Sequence, residues 1–247
     1  MARGWGFERP PIWAIVVMVV GAVGLVVGGI YAAGRPRQDP VSQAQLRQMD
    51  AHASAVAVSE AAARPQIVAF LGDSYVAGTG ASSTATRFTT VLSKMEHWKE
   101  VNLGCGGSGY VNPGPYCKKP YPQRIDEVVK AAPTTVVVFG GRNDLPVATA
   151  SEVQAAAEST FSQLHQALPQ ARILIVSPVW DDDPEPAGFP AIQQAVKTAA
   201  SDTGVTYLDI GEPLRGHPGW VISDGAHPND AGHKAIADAI AAALPSP

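Results

Sequence analysis

Four short polar clusters along this 247-residue chain hold side chains that can do chemistry. The first is "GDSYVAG", Gly72–Gly78, where Ser74 follows an apolar run almost directly. The second is "NLGCGGSG", Asn102–Gly109, and the third is "GGRND", Gly140–Asp144. The fourth is "DGAHPND", Asp224–Asp230. A serine hydroxyl is a weak nucleophile until a base takes its proton. His227 is the candidate base. Asp224, three residues earlier, can accept a hydrogen bond from the other ring nitrogen, which fixes the tautomer and stabilises the imidazolium. His217 also precedes a proline, but Leu214 stands where a carboxylate is needed. His52, His97, His165 and His233 lack that setting. A developing oxyanion needs donors already aimed at it. The N–H of Ser74, the N–H of a glycine in the second cluster and the Asn143 amide can supply three. The chemistry implied is acyl transfer through Ser74, lost on acidification as a histidine base is protonated.

Each residue also has a plainer reading. Ser74 can cap a helix, and Asp73 can shape the turn. Ser108 is a rival nucleophile, but Tyr110 takes the last place of a G-x-S-x-G elbow. Asn143 can satisfy buried backbone groups and Asp144 can hold a loop; Arg142 can meet substrate, but a surface salt bridge is the expected role. "DDDPEP", Asp181–Pro186, reads as a solvated loop, because the alternating ligands of a calcium loop are absent. Trp180 and Phe189 flank it and can line a pocket.

Distant clusters act together only if a scaffold gathers them. Short apolar runs at Ile67–Leu71, Glu100–Leu103, Thr134–Gly140, Arg172–Ser177 and Val205–Ile210 read as strands. Several lack period-two alternation, as expected where both faces are covered. One helix is expected from Ser151, with "SEVQ" as a capping box. It carries Val153, Ala157, Phe161, Leu164 and Leu168 and stops before Pro169. A second holds Ile192, Val196 and Ala199; a last one starts near Asp230 with Ile236, Ile240 and Leu244. Strands alternating with helices predict an α/β domain with a parallel sheet. Ligands in such sheets bind beyond the carboxyl ends of the strands. There the four clusters would share one rim.

Taken together, Ser74 in "GDSYVAG", Gly107 in "NLGCGGSG", Asn143 in "GRND" and His227 in "DGAHPN" resemble the four blocks of the SGNH hydrolases, the GDSL-type esterases and lipases. The resemblance covers roughly residues 66–244. It implies a flavodoxin-like three-layer fold with strand order 2-1-3-4-5 and a serine-ester mechanism. It also points to Gly107, five residues beyond Asn102, as the oxyanion glycine, although Gly104 and Gly106 stand beside it. One departure is Tyr75, where the family's name expects leucine; no chemical role is expected of that position. Acyl transfer to a sugar hydroxyl would use the same residues, and a non-catalytic binding protein would keep the same fold. No metal or cofactor is expected.

The rest of the chain bears on location. Residues 13–33, "WAIVVMVVGAVGLVVGGIYAA", carry no charge over 21 positions and show no polar face. That length matches the ~20 residues needed to span a bilayer. A membrane anchor is expected, preceded by a tail of residues 1–12; a cleaved signal peptide is the alternative. Arg3 and Arg9 before it nearly balance Arg35 and Arg37 after it, so charge does not orient it. Residues 34–65, rich in Ala, Gln and Ser, read as a stalk, and residues 66–247 as the catalytic domain. The only cysteines, Cys105 and Cys117, can close a disulfide in the Gly/Pro-rich loop. With the anchor, they place the domain on the extracytoplasmic side. A net charge of −4 without a basic stripe argues against nucleic acid as a partner. An ester of a small molecule, glycan or lipid is the expected substrate. The sequence does not set the oligomeric state.

Overall fold

The structure, a computed structural model, describes residues 42–63 and 66–245. The expected anchor at residues 13–33 lies outside them. The chain divides into two units, Met1–Ala63 and Arg64–Pro247. In the first, helix α1 spans Gln43–Ala63, within the expected stalk. Among the described residues no helix is long and apolar enough to cross a membrane.

The second unit holds five parallel strands in the order β2-β1-β3-β4-β5. They are β1 (Ile67–Gly72), β2 (Lys99–Gly104), β3 (Thr135–Phe139), β4 (Arg172–Val176) and β5 (Thr206–Leu208). The helices are α2 (Ser74–Ala77), α3 (Phe88–Met95), α4 (Ile125–Lys130), α5 (Ala150–Ala167), α6 (Phe189–Thr203) and α7 (Asp230–Ala243). β3 is buried along its whole length, and β1 from Val68 onward. Alternate side chains of a strand point to opposite faces, so one apolar run supplies two cores. Ala69, Leu71, Val136, Val138, Ile173 and Ile175 pack with Val153, Phe161 and Leu164 of α5 and Ile192 and Val196 of α6. Val68, Phe70, Val137, Phe139, Leu174 and Val176 pack with Phe88 and Leu92 of α3 and Ile236 and Ile240 of α7.

The start of α5 differs from expectation. Its N-cap is Thr149, and the capping box joins Thr149 to Glu152 rather than Ser151 to Gln154. Both pairs fit the pattern. The earlier one wins because Glu152 reaches back to the Thr149 N–H at 2.8 Å. Ser151 then lies in the first turn, its hydroxyl 3.1 Å from that of Thr149.

Candidate active site

The first cluster begins where β1 ends. Asp73 is the N-cap of α2, its Oδ1 accepting the Tyr75 N–H at 2.9 Å. Capping therefore falls to Asp73, and the hydroxyl of Ser74, the first helical residue, is not used as the cap. The Asp73 side chain is only 2% exposed. Burial pushes its pKa up to about 7, against the opposing pull of the Tyr75 N–H and Arg142. α2 lies so close to β2 that a Cβ at Gly104 would overlap the Ala77 backbone.

Opposite Ser74 stands the turn of the fourth cluster. His227 Nε2 is 2.9 Å from Ser74 Oγ, and His227 Nδ1 is 2.6 Å from Asp224 Oδ2. Asp224 Oδ1 also accepts the N–H of Ala226 at 2.9 Å and of His227 at 3.0 Å. Partial burial works against the charged form of Asp224. The N–H and ring of His227 and the N–H of Ala226 outweigh it and hold the pKa down at about 2. Asp224 thus stays ionised over any ordinary working pH and can orient the imidazole throughout. Gly80 admits the His227 segment: its φ is +91°, and a Cβ there would overlap the Pro228 carbonyl.

The second cluster faces the same hydroxyl. A Cβ built on Gly106 would lie 4.0 Å from Ser74 Cβ. The Gly104 N–H is already given to Asn102 Oδ1 at 3.0 Å, which removes it as an oxyanion donor. The N–H groups of Ser74, Gly106 and Gly107 donate to no protein acceptor among the described residues. Gly107 has φ +76°, and a Cβ there would press on Pro115. Cys105 and Cys117 are joined as a disulfide. Tyr116 beside it is 81% exposed, with its ring over Gly106.

Asn143 sits in a 3₁₀ turn, Arg142–Asp144, that follows β3. Its amide donates to the Ser108 carbonyl at 3.0 Å, and this bond leaves its second hydrogen for another acceptor. Asp144 holds the loop, as its plainer reading had it. Its carboxylate accepts the N–H groups of Tyr110 (2.9 Å), Val111 (2.9 Å) and Asn112 (2.8 Å) while fully buried. Ser108 is also fully buried, its hydroxyl given to the Cys105 carbonyl at 2.7 Å.

Two expectations need correction. Arg142 forms no surface bridge: it pairs with buried Asp181 at 2.6 Å and stacks 3.8 Å above Trp180. Asp181 accordingly leaves the solvated loop assigned to it, because the Arg142 guanidinium compensates its burial. Trp180 and Phe189 meet each other, with ring centroids 5.0 Å apart.

Two other residues build the site in ways not expected beforehand. Asn102 donates to the Val76 carbonyl at 2.6 Å, tying β2 to α2. Buried Arg124 donates to the Leu103 carbonyl at 2.7 Å and pairs with Glu127. The Arg124–Glu127 pair is local, but the bonds that reach the site run to backbone carbonyls more than twenty residues away, at Val76 and Leu103, and no local motif marks them.

The chain matches the GDSL-like Lipase/Acylhydrolase family over residues 70–235. A GDSL lipase of Mycobacterium tuberculosis is 29% identical over 191 residues, which are 70% of this chain and 79% of that protein. A psychrotrophic esterase from Pseudoalteromonas sp., solved inhibited by monoethylphosphonate, superposes with a TM-score of 0.60 at 17% identity. The match covers 72% of this chain and 96% of that one. A family two carbohydrate esterase from Clostridium thermocellum, in complex with cellohexaose, gives a TM-score of 0.59 at 19% identity, covering 72% of this chain and 64% of that one. These two structural likenesses are of fold.

Proposed function

The chain belongs to the GDSL-like lipase/acylhydrolase family and is a carboxylic ester hydrolase; from that premise we propose that it is a serine esterase acting through Ser74, anchored in a membrane with its catalytic domain on the extracytoplasmic side. One observation carries the mechanism: the continuous path from Ser74 Oγ through both ring nitrogens of His227 to Asp224. His227 takes the Ser74 proton as Oγ attacks the ester carbonyl. The negative oxygen of the tetrahedral intermediate is held by the Ser74 N–H, the Gly107 N–H and the Asn143 amide. The imidazolium returns its proton to the departing alcohol, leaving an acyl-enzyme. Water, deprotonated by the same histidine, then releases the acid and frees Ser74.

The location rests on separate observations. Residues 13–33 have the length and apolarity of a bilayer span. The Cys105–Cys117 bridge fits an oxidising compartment. Fractionation tests this part. The full chain is expected to stay with membranes after alkaline carbonate extraction, and a chain lacking residues 1–33 to leave them.

The mechanism is tested with Ser74→Ala on a short-chain p-nitrophenyl ester. A fall in kcat of about 10⁴-fold or more is expected, with stability retained. Undiminished hydrolysis would refute it. A panel varying acyl length and alcohol, with and without a sugar acceptor, reads the substrate class and separates hydrolysis from transfer.

A further inference from the structure

Tyr75 follows Ser74 in the chain, yet its side chain goes inward to the core. Its ring stacks on Phe139, with centroids 6.1 Å apart, and lies 5.9 Å from the His227 ring. The ring is fully buried, and its hydroxyl donates to the backbone carbonyl of Ala226. Ala226 sits between Asp224 and His227.

That turn has little else to hold it. Asp224 is 42% exposed, and the bonds within the turn are its own: Ala226 and His227 N–H to Asp224, and Gly225 N–H to the Ile222 carbonyl. The Ile222 N–H to the His227 carbonyl and the Val221–Pro228 bridge close the same short segment on itself. Among the described residues, two hydrogen bonds reach Ser223–His227 from the scaffold. One is the Ser74–His227 contact, which must break and re-form during catalysis. The other is Tyr75 to Ala226.

We propose that Tyr75 is a positioning residue, and that its hydroxyl ties the Asp224–His227 turn to the helix that carries Ser74. Nucleophile and tether are then consecutive residues of one short helix, so the distance from Ser74 to its base is set by one rigid piece of backbone. Leucine at this position would be apolar but shorter than the ring, and would donate nothing to Ala226. Burial pushes the Tyr75 phenol far above its ordinary range, so the hydroxyl remains a donor at every working pH. The inference rests on the Ser74–His227–Asp224 mechanism proposed above.

Tyr75→Phe removes the hydroxyl and keeps the ring. In the full chain it is expected to lower kcat about tenfold, as loss of one catalytic-loop hydrogen bond would. KM should stay within about twofold, and Tm should move by only about 2–4 °C. Tyr75→Leu should fall at least as far in kcat. The His227 Nδ1 proton gives the reading a purely structural role would not move: its low-field NMR resonance should broaden in Tyr75→Phe as the turn loosens. A kcat within twofold of the parent overturns the proposal. So does a fall in kcat with that resonance unchanged, or an effect confined to KM. Ser74→Ala separates the failures. If that variant still hydrolyses ester, the mechanism itself is wrong; if it is inactive while Tyr75→Phe matches the parent, only the tether is.

Discussion

The turns that carry the proposed nucleophile and the proposed base are built in different ways. Gly72–Gly78 continues the central strand β1, is flanked by β2 and β3 and is largely buried. Ser223–His227 has no regular secondary structure and is partly exposed. The first is placed by the sheet, whose two cores leave the end of β1 little freedom to move. The second is placed by side-chain bonds: Asp224 to its own turn, His227 to Ser74, and Tyr75 to Ala226. Substitution of the buried polar groups around the first turn should therefore cost stability, and substitution within the exposed turn should cost rate; Ser74 and Tyr75, whose side chains reach the exposed turn, go with the second.

After Ser74→Ala, the largest expected effect tests the exposed side. Asp224→Asn should lower kcat by about 10³–10⁴-fold, because an amide cannot hold the imidazole tautomer or stabilise the imidazolium. Tm should barely change, since the side chain is exposed. Loss of fold instead of rate would break the contrast between the two turns. The pH–rate profile sharpens it. Asp224 is ionised down to about pH 2, so a loss of activity at milder acidity would be assigned to the proposed base rather than to Asp224. Asp224→Asn should leave its residual activity still sensitive to acid, and an acid-insensitive remainder would contradict that assignment.

On the buried side, Asp144→Ala should destabilise by about 3 kcal/mol or more, because the N–H groups of Tyr110, Val111 and Asn112 lose their acceptor in the interior. Urea denaturation reads this directly. A change below about 1 kcal/mol would mean that the loop carrying Gly107 does not depend on Asp144.

Asp73 should have the smallest effect, and it shows as a dependence on pH. Its folded pKa is raised from 3.8 to about 7, so the folded chain keeps a proton that the unfolded chain gives up. Its contribution to stability is full below about pH 4 and is lost as pH rises to about 7. Between about pH 5 and pH 8 the parent should lose on the order of 2–3 kcal/mol more than Asp73→Asn, which keeps the cap without titrating. Equal pH slopes for the two would place the proton elsewhere.

Much of this was legible in the sequence for physical reasons. β1, β3 and β4 are central, and a strand covered on both faces must be an unbroken apolar run. Asp224 and His227 are three residues apart, so their pairing is local. The capping box was misplaced because Thr149-x-x-Glu152 and Ser151-x-x-Gln154 overlap and fit the same pattern. Arg142 with Asp181, 39 residues apart, and Tyr75 with Ala226, 151 apart, leave no local trace. Tyr75 was hidden further because the family pattern expects leucine after the serine, with no chemical role at that position.

The central claim is that Ser74, activated by His227, is the residue that becomes acylated. A fluorophosphonate reacts with such a serine and leaves a stable covalent mark. The folded chain should be labelled, and peptide mass mapping should place a single adduct on Ser74. Labelling should be lost in Ser74→Ala and strongly slowed in His227→Ala. An adduct on Ser108 or another residue, or an unlabelled Ser74 in protein that still hydrolyses esters, would contradict the account.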